Sequence, residues 1–167
     1  MTKPTTLRRT ILATALMSLA FPASLALAAD AKSVAGTYSY VSVVTTSASG
    51  EKSEPFGPNP TGTVMFGADG RFMITVMKPG LPKFASNSRT SGTPDEMKAV
   101  VAGSIAYLGN YKVEGDALVM NIEHATYPNW DGTTQKRTFK MEGDQLKVHT
   151  PTASGGGTGD VVLKRLK

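Results

Sequence analysis

Two side chains in this 167-residue sequence, His124 and Arg137, have types and positions that could bring chemistry to one spot. In Gln135–Glu142, Lys136, Thr138 and Lys140 mark the wet face of a strand, because successive strand side chains point to opposite faces. Arg137 then points inward with Phe139 and Met141. In the preceding apolar segment, Leu118, Met120, Ile122 and His124 share one face and Asn121 and Glu123 the other, so simple alternation predicts an inward His124. Pro128-Asn129-Trp130 joins the two segments and brings the end of one and the start of the next to the same rim. His124, Arg137 and Trp130 are therefore expected to converge, with Asn129 in the same loop and Met120 on the same strand face as His124.

An inward Arg and His among apolar walls suit an anionic or carbonyl-bearing ligand with a greasy body, since small-molecule pockets combine apolar lining with a few convergent polar groups. The competing reading of Arg137 is structural, because buried charges are usually paired. It would tie down the Pro55–Pro60 or Pro128–Trp130 loop through carbonyls, or pair with Glu96 or Asp131. His124 reads the same way, as a hydrogen-bonded rim residue, and Trp130 as either a lid over a cavity or the plug that fills it. Tyr38, Tyr40 and Tyr111 offer hydroxyls to a ligand or to water. Met65, Met73, Met77, Met120 and Met141 recur in strands, where methionine lines irregular pockets but more often fills a core. The candidate ligand contacts are thus Arg137, His124, Trp130, Asn129, Tyr111 and Met120. No catalytic residue is assigned. A chemical alternative has His124, Arg137 or Glu96 handling protons or developing negative charge in a cyclase, isomerase or hydratase, and a third reading is a filled barrel with a structural or interaction role. No metal or cofactor site is expected. There is no Cys, only two His, with His149 facing away from Leu146 and Val148, and no phosphate-binding Gly motif opening a helix.

The elements that must position these groups are short strands cut by turns, the rhythm of an all-β barrel or sandwich. Gly36–Thr46 is rich in Tyr, Val and Thr. Thr63–Phe66 and Arg71–Met77 flank an Asp69-Gly70 hairpin signal. Tyr111–Glu114 turns through Gly115-Asp116 into Leu118–Thr126, and Gln135–Glu142 turns through Gly143-Asp144 into Gln145–Thr150. Val161–Leu166 closes the set. Pro55, Pro58 and Pro60 exclude their segment from a sheet interior. Thr93-Pro94-Asp95-Glu96 has an N-cap, a first-turn proline and a capping-box glutamate, so one helix is expected from there to about Ile105. Eight such strands favour an antiparallel up-and-down barrel with one short α-helix, because closure removes exposed edges.

The start of the sequence reads as an export signal. Lys3, Arg8 and Arg9 precede an apolar run from Ile11 to Leu27, and Ala26-Leu27-Ala28 is a small-x-small cleavage pattern. Residues 1–28 are expected to be removed, by a Sec or twin-arginine route, leaving a single domain over 29–167 in the periplasm or outside the cell, with no stable membrane insertion. The sequence totals 18 Lys+Arg and 13 Asp+Glu, and three of the basic residues lie in that segment. The remaining domain is nearly neutral, with scattered basic residues, which excludes a charge-based case for nucleic acid.

Several blocks carry a family resemblance: Gly36-Thr37-Tyr38, Pro55-Phe56-Gly57-Pro58-Asn59-Pro60-Thr61-Gly62, Asp69-Gly70-Arg71 and Pro82-Lys83-Phe84-Ala85. After these come Gly92-Thr93-Pro94-Asp95-Glu96, Tyr107-Leu108-Gly109-Asn110-Tyr111, Tyr127-Pro128-Asn129-Trp130-Asp131-Gly132-Thr133 and Arg137. In this order they resemble the lipocalin-like domain family of small bacterial and fungal proteins. The resemblance implies a lipocalin-type barrel holding a small hydrophobic molecule, with some relatives tied to secondary metabolism, and brings no catalytic residues. Members of that family often carry a His early in the strand before the Pro-Asn-Trp loop. This sequence has Val119-Met120-Asn121-Ile122-Glu123 there and its nearest His at 124.

Overall fold

The computed structural model describes residues 31–167, so the expected export signal lies outside the described residues. The strands are β1 (Gly36–Thr46), β2 (Lys52–Ser53), β3 (Thr61–Phe66), β4 (Arg71–Met77), β5 (Ser104–Glu114), β6 (Ala117–Ala125), β7 (Thr134–Glu142), β8 (Gln145–Thr150) and β9 (Thr158–Arg165). All pairings are antiparallel, and β1 pairs with β9 as well as with β3. Eight strands therefore close a ring, with β2 added as a two-residue strand along β1. This is the all-β up-and-down barrel expected from the turn spacing. At the Asp69-Gly70 hairpin, Gly70 adopts φ 83° while the Gly67 amide donates to the Arg71 carbonyl at 2.7 Å.

The helix, α1 (Pro94–Gly103), starts where its capping box predicts. The Glu96 amide donates to the Thr93 hydroxyl at 3.3 Å, and the Thr93 amide donates to the Glu96 carboxylate at 2.7 Å. It ends before Ile105, the expected limit. Ser104 already has extended backbone, and β5 pairs with the whole of β4, from Met77↔Ser104 to Arg71↔Asn110. That ladder supplies more backbone hydrogen bonds than another half turn of helix could. Within α1 only Gly103 is buried.

Two ladder irregularities reset the side-chain alternation. In β6, Leu108 faces His124 and Gly109 faces Ile122, so Glu123 is an extra residue in a β-bulge. A side chain at Gly109 would put its Cβ 2.0 Å from the Asn121 carbonyl oxygen, so this crossing requires glycine. The extra residue is held from outside, where Arg71 makes a two-pronged contact with the Glu123 carboxylate at 2.7 and 2.9 Å. A second shift separates Tyr40 from Ser42 in the β1–β9 ladder. Tyr38 and Val43 are both buried while Val41 is exposed.

The core divides the barrel into halves. At the base, Tyr38, Phe66, Phe72 and Tyr111 are buried with Ile122 and Leu146. Phe66 stacks edge-on with Tyr111 at 5.0 Å between ring centres. Helical residues 31–34 run beneath this cluster. Val34 is fully buried there, and its carbonyl accepts from the Tyr38 hydroxyl at 2.7 Å. The Ala31 carbonyl accepts from Tyr111 at 3.0 Å, and Arg165 of the last strand donates to the Ala35 carbonyl. The opposite half, around Trp130 and Arg137, is open.

Candidate functional site

Arg137 is brought to the barrel interior by the clean alternation of β7, where Lys136, Thr138 and Lys140 are exposed and Arg137 is 7% exposed. It sits opposite Leu118 of β6. One terminal nitrogen donates to the Tyr107 hydroxyl at 2.7 Å and the other to the Gln135 side-chain oxygen at 2.6 Å. The guanidinium carbon lies 5.4 Å from the centre of the Tyr107 ring and 5.9 Å from that of Trp130, within cation–π range. Its Nε is buried and has no hydrogen-bond partner among the described residues. Neither carboxylate considered for it is in place. Asp131 accepts from the Ala125 amide at 2.7 Å, and Glu96 is committed to the cap of α1 and to the Ala85 amide at 2.9 Å. Among the described residues no acidic side chain pairs with Arg137.

Trp130 is placed by a short 3-10 turn, Pro128–Trp130. The Thr133 hydroxyl donates to the Trp130 carbonyl at 2.7 Å, and the Gly132 amide ties the loop to the Ile122 carbonyl at 2.9 Å. The indole stands edge-on to Tyr107 at 5.2 Å and forms cavity wall. Tyr40 lines the same space. Burial pushes its phenol pKa up, against the opposing influence of Arg137, so it remains a neutral hydroxyl.

These groups border an inner cavity of about 100 Å³ walled by Val64, Phe66, Leu118, Met120, Val148 and Leu163 among others. Above it lies a wider vestibule of about 680 Å³ between α1, the 153–156 loop and Tyr127. A side opening between β7 and residues 150–152 also reaches Trp130, Gln135 and Arg137. The opening exists because β7 pairs with β8 only from Thr138 onward.

The structure brings Arg137, Trp130 and Met120 together around the cavity and leaves the other three candidates elsewhere. His124 is the main correction. The bulge at Glu123 turns it outward, where it is exposed and lines a shallow groove with Met73 and Leu108, while Ala125 takes the inward place. Asn129 is exposed at the tip of its turn. Tyr111 is buried but lies at the base, where its hydroxyl donates to the Ala31 and Gly67 carbonyls. Burial raises its pKa to about 12. Met65 and Met73 are also outward, each 48% exposed. Of the groups considered for proton chemistry, Arg137 alone lines the cavity. Tyr107 and Gln135 complete the site without having been singled out for it, and Tyr40 joins them as one of the tyrosines expected to offer a hydroxyl to a ligand or to water. Gln135 shares the parity of Arg137 and was legible on that ground, whereas Tyr107 fell between the expected helix end at about Ile105 and the strand expected from Tyr111, a stretch that β5 in fact occupies.

The sequence profile of the lipocalin-like domain family matches residues 35–161, from just before β1 into the first half of β9. The chain belongs to the lipocalin-like domain family. It is also 35% identical over 83 residues to the 4'-hydroxy-3'-methoxypropiophenone carrier protein of Aspergillus oryzae, a match covering 45% of this chain and 75% of that protein. Within this lipocalin-like barrel the base is filled by aromatic side chains and the opposite half holds a cavity bearing one guanidinium.

Proposed function

We propose that the protein is a binding or carrier protein for a small apolar molecule bearing an anionic or carbonyl oxygen, which docks against Arg137. The observation that carries this reading is the buried, unpartnered Nε of Arg137 beside an apolar cavity. A cation taken out of water without a carboxylate is costly, and an oxygen acceptor would offset that cost through a charge-assisted hydrogen bond. Tyr107 and Gln135 hold the guanidinium in one orientation, and the neutral Tyr40 hydroxyl offers a second donor. The related carrier supports the same class, since an aryl ketone combines a flat apolar body with a carbonyl. The proposal includes export after removal of residues 1–28, on the basic, apolar and small-residue pattern of that segment.

Trp130 is the sole tryptophan, so ligand binding has a built-in reporter. Titration with 4'-hydroxy-3'-methoxypropiophenone and with benzoate is expected to give saturable fluorescence changes that Arg137→Met weakens at least tenfold. His124→Ala should leave them unchanged. Equal binding by Arg137→Met and wild type would remove Arg137 from the site and overturn the reading.

A further inference from the structure

We infer that the ligand is an amphiphile longer than one ring, with its oxygen-bearing head at Arg137 and an apolar extension lying in the vestibule between α1 and the 153–156 loop. This rests on the proposed role of Arg137. The inner cavity, at about 100 Å³, falls well below the several hundred Å³ of ordinary small-molecule sites. The vestibule, at about 680 Å³, lies within that range, and Thr45, Ile105, Ala153 and Ser154 line both spaces. The two chambers therefore adjoin at these residues. On β5, Tyr107 is one inward-facing position deeper than Ile105, so the head group on Arg137 lies roughly 7 Å inside the mouth. A longer apolar extension projects outward into the vestibule rather than through the side opening, whose lining is mostly polar, with Thr133, Thr134, Lys136, Thr150 and Thr152.

The lining sets the chemistry of that projection. Arg137 is the one charged residue lining either chamber among the described residues, so only one end of the ligand finds a charge. The vestibule supplies Val100, Val101, Ile105, Tyr127 and Pro55 as apolar surface. Val101 is 78% exposed on a helix whose only buried residue is Gly103, so the barrel has not used this surface for its own packing. Most of the vestibule hydroxyls already have partners within the protein. Thr45 and Ser53 share a hydrogen bond at 2.8 Å, Ser104 donates to the Val100 carbonyl at 2.7 Å, and Thr126 accepts from the Ala106 amide at 2.9 Å. They make little demand for a polar ligand.

The test is a series of 4-alkylbenzoates, from benzoate to 4-hexylbenzoate, titrated against the full chain by Trp130 fluorescence. Burial of each added methylene should tighten binding about two- to fourfold until the vestibule is filled. Val101→Asp should flatten this dependence on chain length, and Val101→Leu should retain it, which separates loss of apolar surface from disturbance of the helix. Arg137-dependent binding of benzoate with no gain along the series would overturn the inference and leave the proposed function standing. A slope that persists in Val101→Asp would also overturn it. Failure of the whole series to bind would overturn both readings together.

Discussion

Replacing Arg137 by Met separates a binding group from a structural strut. The wild-type side chain is 7% exposed, gives hydrogen bonds to Tyr107 and Gln135, and has no acidic partner among the described residues. Losing those bonds leaves two oxygens short of a donor, each costing about 1–3 kcal/mol and toward the lower figure where the cavity admits water. Against this, the substitution removes a buried charge whose desolvation costs several kcal/mol, and it keeps an apolar stem of similar length. The opposing terms nearly cancel, so Arg137→Met should lie within about 2 kcal/mol of wild type in urea unfolding followed by circular dichroism without ligand. With ligand at one hundred times the wild-type dissociation constant, wild type should gain about 2.7 kcal/mol and the variant, binding at least tenfold more weakly, about 1.4 kcal/mol or less. A loss of 3–5 kcal/mol in the ligand-free variant would refute the reasoning, because that is the cost of breaking a buried charge pair that supports the fold.

Gly109→Ala should destabilise by about 3 kcal/mol or more, read as a lower urea midpoint, because the new Cβ meets the Asn121 carbonyl at 2.0 Å and backbone must move. Tyr111→Phe should cost about 1–2 kcal/mol by releasing the Ala31 and Gly67 carbonyls. Because the folded Tyr111 pKa is raised to about 12, its stabilising contribution is complete below pH 10 and is lost as pH climbs through about 12. The alkaline fall in urea midpoint should accordingly be shallower in the variant. Glu142 is exposed, and hydrogen bonds from Lys147 and Lys140 lower its pKa to about 2. Its contribution is present above about pH 4.5 and fades as pH falls through about 2, so Glu142→Gln should flatten that part of the acid limb.

The barrel and the inward Arg137 were legible because their signals are local. Hairpin turns set the strand count, and three exposed residues alternate around Arg137 in β7 without interruption. His124 was misplaced because alternation counts residues, whereas facing depends on pairing, and one extra residue at Glu123 changes the count. A glycine inside a strand was the available sign, and Gly109 stood in the Tyr107–Tyr111 block. Tyr111 was placed at the site because nothing local shows residues 31–34 folding beneath the barrel to take its hydroxyl. The lost half of β5 had the same origin. Capping chemistry marks where a helix begins, but its end was decided by a competing ladder with β4.

The β1–β9 ladder also governs when the cavity can come into being. It joins residues 125 positions apart, as between Ser39 and Lys164, whereas the hairpins elsewhere in the ring join close neighbours. Loop-closure entropy makes such a distant contact slow to form, so the meander should assemble first and this seam last. Contacts absent from the folding transition state act mainly on unfolding rate. Weakening the seam, as by Val161→Ala, should therefore speed unfolding while refolding changes little. A ligand that needs the closed ring would slow unfolding without hastening refolding, so its residence time would set the lifetime of the barrel.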